Sequence, residues 1–331
     1  MLRKSVLILL FAVTNIWLAA ATVSTDIRRE NERATSLIEH GRFSEARKLL
    51  TDLRKRIPID DEVMARHIDF SLVRCAAELH DNGAENLMNA FLRRYPESVH
   101  TNDVRFLLGL YYCEHEEFSK ARKCFEKVSY KALTLENRER FNMRMGYIEF
   151  MAGNYDKAYE LFSMLSSTGR YAEHATYYKS YIRYAQGNYQ QAYGGFNSLI
   201  KSDNYAKIIP YYLFQIEFAS GNYRYVTKHG DELLKKAVAT ERTELMRIMA
   251  ESWYHLQGYS KARHYMLGYR AAGGEMGREE NYLLGYSAYR STDYTTAIET
   301  LRKVAEGNDE LAQNASYHLA DCYVNRGDKR Q

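Results

Sequence analysis

Proline is scarce in this sequence, three residues in 331, and none sits in a low-complexity run. That excludes proline-rich linkers and speaks against the turn-dense chain of a β-sandwich. Cysteine is nearly as rare: four residues, with no CxxC pair and no zinc spacing. A disulfide framework is not needed in a chain this long. Buried free thiols are expected, with Cys113 and Cys124 the one pair worth testing for a bond. Charge of one sign is missing too, since 46 Lys and Arg stand against 42 Asp and Glu. A net charge of +4 is too small and too scattered for the basic face that nucleic-acid binders carry. The stretch from Arg28 to Arg56 is basic, but acids interrupt it throughout, as on a solvated helix face.

Catalytic signatures are also lacking. There is no HExxH, no GxSxG elbow, no P-loop and no GxGxxG. The glycines of Gly273-Gly274-Glu275-Met276-Gly277 follow a helical segment and are expected in a loop between repeats. The ten histidines are dispersed. Cys113-Glu114-His115-Glu116-Glu117 gathers potential ligands, but at a turn where a solvated polar corner is normal. No enzyme activity, metal or cofactor is expected.

What is present begins with an export pattern. Met1 to Lys4 are positively charged, Ser5 to Leu18 are almost unbroken apolar sequence, and Ala19-Ala20-Ala21 offers small residues to a signal peptidase. Residues 1–21 are therefore expected to be a signal peptide cleaved after Ala21, an uncleaved anchor being the alternative. No cysteine follows the apolar core, so a lipoprotein anchor is not expected. No later stretch could span a bilayer. The predicted localisation is exported, periplasmic or associated with an outer membrane.

After the leader one pattern recurs: a small residue, a polar residue and an aromatic, then alanine three positions on and a large apolar residue four beyond that. It reads Gly41-Arg42-Phe43 with Ala46 and Leu50, Glu116-Glu117-Phe118 with Ala121 and Phe125, and Gly153-Asn154-Tyr155 with Ala158 and Phe162. It continues as Gly187-Asn188-Tyr189 with Ala192 and Phe196, Gly258-Tyr259 with Ala262 and Met266, and Asp293-Tyr294 with Ala297 and Leu301. The aromatic anchors Phe118, Tyr155, Tyr189, Tyr223, Tyr259 and Tyr294 are 34 to 37 residues apart. Leu108-Gly109, Met145-Gly146 and Leu284-Gly285 precede their anchors by about nine residues.

This pattern resembles the tetratricopeptide repeat, over essentially the whole chain after the leader. The period suits two helices, A and B, joined by short turns. The resemblance implies an all-α, right-handed superhelical solenoid of antiparallel helix pairs across residues 22–331. About eight pairs are expected, then an unpaired final helix from Ala315 to Asn325 with Gly327 as its turn. A solenoid normally ends in a polar capping helix, so the sequence is expected to be part of a longer chain or to continue onto a partner. Two copies depart from the pattern. The second has no aromatic anchor after His80-Asp81-Asn82-Gly83, and its Phe91 and Tyr95-Pro96-Glu97-Ser98 resemble bacterial envelope proteins of the outer-membrane assembly lipoprotein and Tol-Pal coordinator types. The sixth, at Gly221-Asn222-Tyr223, has Val226 for alanine and Gly230 for the large residue. Its second helix is expected to be loose or shifted.

The 29 tyrosines are the unusual part of the composition. In several A helices large side chains recur at i, i+4 and i+7, a single helical stripe: Met143, Tyr147 and Phe150; Tyr177, Tyr181 and Tyr184; Tyr282, Tyr286 and Tyr289. Tyr211 and Phe218 form a weaker version. In the proteins resembled, A helices line the concave face, and tyrosine is a favoured recognition residue. The expectation is a non-enzymatic interaction scaffold of the bacterial envelope that binds a peptide or protein on this stripe. Packing of the same rings in the core between repeats is the competing explanation. Two other functions remain open at this stage: a glycan-binding envelope protein, and the docking region of a longer enzyme or sensor.

Overall fold

The computed structural model describes residues 25–58 and 60–327. The expected leader, residues 1–21, lies outside the described residues. Those residues form helices and connecting turns without a strand, in two compact units that divide between Tyr171 and Ala172. The first unit holds α1 (25–39), α2 (Phe43–Arg56), α3 (Glu62–Glu78), α4 (Ala84–Arg94), α5 (Thr101–Glu114), α6 (Phe118–Phe125), α7 (Leu135–Met151) and α8 (Tyr155–Ser163). The second holds α9 (Ala172–Ala185), α10 (Tyr189–Ser198), α11 (Ile209–Ala219), α12 (Tyr223–Lys236), α13 (Ala239–His255), α14 (Tyr259–Ala271), α15 (Arg278–Arg290), α16 (Tyr294–Ala305) and α17 (Glu310–Arg326). Odd-numbered helices are A helices and even-numbered ones are B helices. The chain is an all-α helical repeat. No described helix is long and apolar enough to cross a membrane.

The pairing follows from residue size. Ala46, Ala121, Ala158, Ala192, Ala262 and Ala297 are all fully buried, so each B helix can come close to its neighbours. The large residue four positions later, such as Phe125, Phe162 or Leu301, is buried as well. It fills the space above the small residue of the A helix. A Cβ on Gly109, Gly146 or Gly285 would stand 2.5, 2.8 or 2.7 Å from Phe125, Phe162 or Leu301.

Every A–B turn places one residue in the left-handed region: Gly41, His80, Glu116, Gly153, Gly187, Gly221, Gln257 and Thr292, with φ between 50° and 76°. The reversal uses both bonds of a Schellman turn. At Gly153 these are Gly153 N–H to Phe150 O at 3.0 Å and Asn154 N–H to Glu149 O at 2.9 Å. At Thr292 they are Thr292 N–H to Tyr289 O at 3.0 Å and Asp293 N–H to Ala288 O at 2.9 Å. Half of these positions are not glycine, although a left-handed L-residue costs roughly 1–2 kcal/mol. The turn expected at Gly258 is displaced by one: Gln257 takes the left-handed conformation, and Gly258 has φ −79°. Gly258 is small for another reason, because a Cβ there would stand 2.5 Å from the Trp253 ring.

The sixth pair corrects a second expectation. Helix α12 is continuous over 14 residues and Val226 is fully buried, so it is neither loose nor shifted. The sizes have been exchanged across the pair. Phe214, buried in α11, stands where other A helices carry a small residue, and Gly230 in α12 stands where the others carry a large one. Met249 of the next A helix packs against Gly230 so closely that a Cβ would overlap its sulfur. Met249, and not a large residue of α12, occupies that position.

Helix α17 ends at Gly327, φ 83°. Tyr95 is buried and donates a hydrogen bond to Asp69 at 2.8 Å, which anchors the Tyr95–Ser98 corner. All four cysteines are free. Cys113 is a core residue rather than part of a solvated corner, and burial pushes its thiol up to about 12; Glu114, His115 and Glu116 are the exposed members of that group.

Candidate partner-binding face

The repeat period carries each stripe position from one A helix to the next. In the first unit α7 presents Met143, Tyr147 and Phe150, all partly exposed. Tyr147 packs edge-on against Phe118 of α6 at 5.7 Å, and Phe150 against Tyr155 of α8 at 5.7 Å.

In the second unit the A helices α11, α13, α15 and α17 also pack on one another in succession. Tyr177, Tyr181 and Tyr184 of α9, Tyr211 and Phe218 of α11, and Tyr282, Tyr286 and Tyr289 of α15 are half-buried, none fully enclosed. The α9 rings meet α11 through Tyr212. Tyr177 Oη lies 3.2 Å from Tyr212 Oη, and Tyr181 and Tyr184 pack edge-on against the Tyr212 ring at 5.8 and 6.1 Å. Tyr184 also donates to Gln215 Oε1 at 3.1 Å. Tyr212 itself is stacked on the buried Phe196 at 4.8 Å, and so supports the stripe from beneath.

A second group of rings surrounds Tyr286. Tyr282 stacks at 6.0 Å, while Tyr254, Tyr259 and His318 lie 5.8, 5.4 and 4.8 Å away. Arg290 donates to Tyr286 Oη at 2.9 Å and covers the Tyr259 ring at 4.5 Å. Tyr289 donates to Asp321 of α17. The phenols of Tyr184, Tyr211, Tyr254, Tyr282 and Tyr289 stay protonated at neutral pH. Burial raises Tyr184, Tyr211 and Tyr282, with neighbouring Tyr or Glu side chains adding to it. Burial also raises Tyr254 to about 12, and the bond to Asp321, followed by burial, raises Tyr289 to about 12. They can all donate hydrogen bonds.

Three members of the face escaped the search for repeated tyrosines: Arg247, Glu251 and Tyr254 of α13. They stand 35 residues before Tyr282, Tyr286 and Tyr289, so counting back one period would have found them. Arg247 forks onto Glu244 at 2.6 and 3.0 Å, also contacts Glu251, and lies 6.0 Å from the Phe218 ring. Its charge is held firmly, first by the bond to Glu244 against the opposing effect of burial. Burial is the main cause of a raised pKa at Glu251; Arg247 opposes it and Glu244 and Glu280 add to it. Beside them opens a cavity of about 850 Å³, bordered by Glu251, Tyr254, His255, Arg278, Glu280 and Tyr282 among others. A separate, more apolar cavity of about 620 Å³ lies among α11, α12 and the start of α13, lined by Leu213, Phe214 and Leu233. Among the described residues no group of three or more His, Cys, Asp or Glu is placed to hold a metal ion.

The family model for the tetratricopeptide repeat matches residues 282–329, from within α15 through α17. The match covers 48 of the 331 residues. The earlier helix pairs share its left-handed turn and, in most of them, its buried alanine. No curated protein matches the sequence. Among solved structures, a tetratricopeptide repeat protein from Parabacteroides merdae is similar at 13% identity, with 78% of this chain and 98% of that chain covered and a TM-score of 0.43. PilF of Pseudomonas aeruginosa is similar at 15% identity, with 65% and 96% covered and a TM-score of 0.48. The C-terminal part of a tetratricopeptide repeat-containing protein from Cytophaga hutchinsonii is similar at 13%, with 86% and 98% covered and a TM-score of 0.42. At these scores the likenesses transfer no site residues. The tetratricopeptide fold rests on the helix pairs and on the family match.

Proposed function

We propose that this chain is a non-catalytic scaffold that holds a protein partner on the A-helix face of its second unit. The observation that carries this is the state of the stripe. Eight large side chains from α9, α11 and α15 recur at the same helical positions, and every one is partly exposed. Side chains that served only to fill the core would be enclosed, as Phe162 and Phe196 are. Rigid, half-wet rings that donate hydrogen bonds are what central contacts of protein interfaces are made of. The export pattern of residues 1–21 supports a site of action in the bacterial envelope, periplasmic or at the outer membrane. N-terminal sequencing of exported protein tests this second part: a mature chain starting at Thr22 supports it, and one starting at Met1 refutes it.

The binding face is tested with Tyr181→Ala and Tyr286→Ala. Each should cost about 1–2 kcal/mol of stability, well short of the roughly 3–5 kcal/mol of a fully buried aromatic. A photo-reactive amino acid at Tyr181 or Tyr286 should form a discrete protein adduct in the envelope, while one at the exposed Gln190 should not. Core-sized losses in both variants, with no adduct, would refute the assignment.

A further inference from the structure

At α13 the tyrosine stripe gives way to a charged pair. Arg247 and Glu251 occupy the positions held by Tyr282 and Tyr286 one repeat later, and the cavity of about 850 Å³ opens beside them. Its charged border does not balance. Four carboxylates, Glu251, Glu279, Glu280 and Asp309, face two guanidinium groups, Arg247 and Arg278. Both cations are already engaged. Arg278 holds Asp309 through two bonds of 2.8 Å, and Arg247 is shared between Glu251 and Glu244, the latter outside the cavity. Glu279 and Glu280 have no ion-pair partner among the described residues. Three aromatic side chains, Tyr254, Tyr282 and His255, line the same border. His255 is stacked on Tyr223 at 4.3 Å, which fixes its plane.

We propose that this cavity receives a cationic side chain, arginine or lysine, from an extended basic segment of the protein partner lying along the A-helix face. The inference rests on that face being where the partner sits, and adds the partner's chemistry. A surplus of carboxylate next to tyrosine rings is complementary to a guanidinium or ammonium group in two ways, through charge and through the ring quadrupole. An acidic or purely apolar side chain would leave Glu279 and Glu280 uncompensated and is disfavoured. The same surplus steers a basic segment to the site from a distance, in a manner that salt weakens.

The experiment uses the full chain and three fluorescein-labelled peptides of one length. They share a Gly-Ser background and differ at three spaced positions, which are arginine, citrulline or glutamate. Fluorescence anisotropy at 50 and 300 mM salt should show the arginine peptide binding at least about tenfold more tightly than its citrulline twin, and the glutamate peptide weakest. The double variant Glu279→Gln/Glu280→Gln changes exposed or half-exposed residues and should fold normally. It should lose about tenfold for the arginine peptide and little for the citrulline one. A charge change at Glu160→Gln in the first unit is the control and should change nothing. Equal binding of arginine and citrulline peptides overturns the proposal, as does arginine binding that survives the double variant. If citrulline and arginine peptides bind equally and Tyr286→Ala weakens both, the face stands and only the charge inference fails. If no peptide binds, the charge inference fails, and the photo-crosslinking at Tyr181 and Tyr286 decides the face separately.

Discussion

Two adjacent glycines in α10, Gly194 and Gly195, should respond in opposite directions to the same change. Alanine in a helix interior is favoured over glycine by about 0.8–1 kcal/mol. At Gly194 the new Cβ would meet nothing within 4 Å, so Gly194→Ala should stabilise by nearly that amount. At Gly195 the Cβ would overlap Ser180 Oγ and stand 3.2 Å from Ser180 Cβ in α9. Ser180 is buried and donates to Thr176 O at 2.7 Å. To admit the methyl group its hydroxyl must turn away. That breaks the bond and leaves a buried polar group unsatisfied, at a cost of about 1–3 kcal/mol. The close Cβ pair adds to this cost, so Gly195→Ala should be net destabilising by roughly 0.5–2 kcal/mol. The two variants should therefore differ by about 2 kcal/mol. Ser180→Gly restores the small residue that α5, α7 and α15 carry at this place, and combined with Gly195→Ala it should recover most of the Gly195→Ala deficit beyond the cost of the new glycine. Urea unfolding of the full chain followed by circular dichroism reads all four. Equal effects of the two alanines, or no recovery in the double variant, would refute the account of how α9 and α10 meet.

Further outcomes follow from the same structure. Thr292→Gly should stabilise by about 0.5–1 kcal/mol, since relief of a β-branched residue at φ 63° outweighs the added freedom of the unfolded chain; a loss of stability in thermal melts would contradict it. Ala192→Leu should overpack the α9–α10 crossing and cost roughly 1–3 kcal/mol, whereas Gln190→Leu, at an exposed site, should be near neutral; equal costs would show the register to be wrong. Glu149 of α7 is fully buried, and burial alone would raise its pKa, but hydrogen bonds from Lys157 and Asn154 and the charge of Arg122 hold it below the usual range. A carboxylate held down in the folded state stabilises above its unfolded value, about 4.3, and that contribution fades as pH falls through the folded value. Acidification below about pH 4 should therefore weaken the first unit. Glu149→Gln should flatten that limb of the stability profile, and an unchanged acid limb would refute the assignment.

The helix pairs were legible in the sequence because their signals are local. The aromatic anchor, the alanine three positions on and the small residue about nine before are steric requirements within one pair, and each shows as a residue type at a fixed spacing. What escaped has a different origin. The sequence pattern points to Gly258 as the turn because glycine usually marks one. The backbone makes the turn at Gln257, and Gly258 answers instead to the Trp253 ring. The departures at Phe214 and Gly230 are not explained by the pattern, because the residue that fills the space at Gly230 is Met249 of the next pair. On the candidate face the tyrosines are visible by repetition. Arg247 and Glu251 are not, because there the position recurs while the chemistry changes.

That exchange of sizes limits how the chain can be rebuilt. At Gly109, Gly146 and Gly285 the small residue is met by the large residue of its own pair, so such a pair can be moved with that contact intact. The sixth cannot. The hollow at Gly230 is filled from the seventh pair, by Met249. A graft that moved the sixth pair alone would leave a void, and one that put an ordinary pair in its place would drive a large side chain into Met249. The sixth and seventh pairs are one cassette, and the charged break in the tyrosine face travels with them.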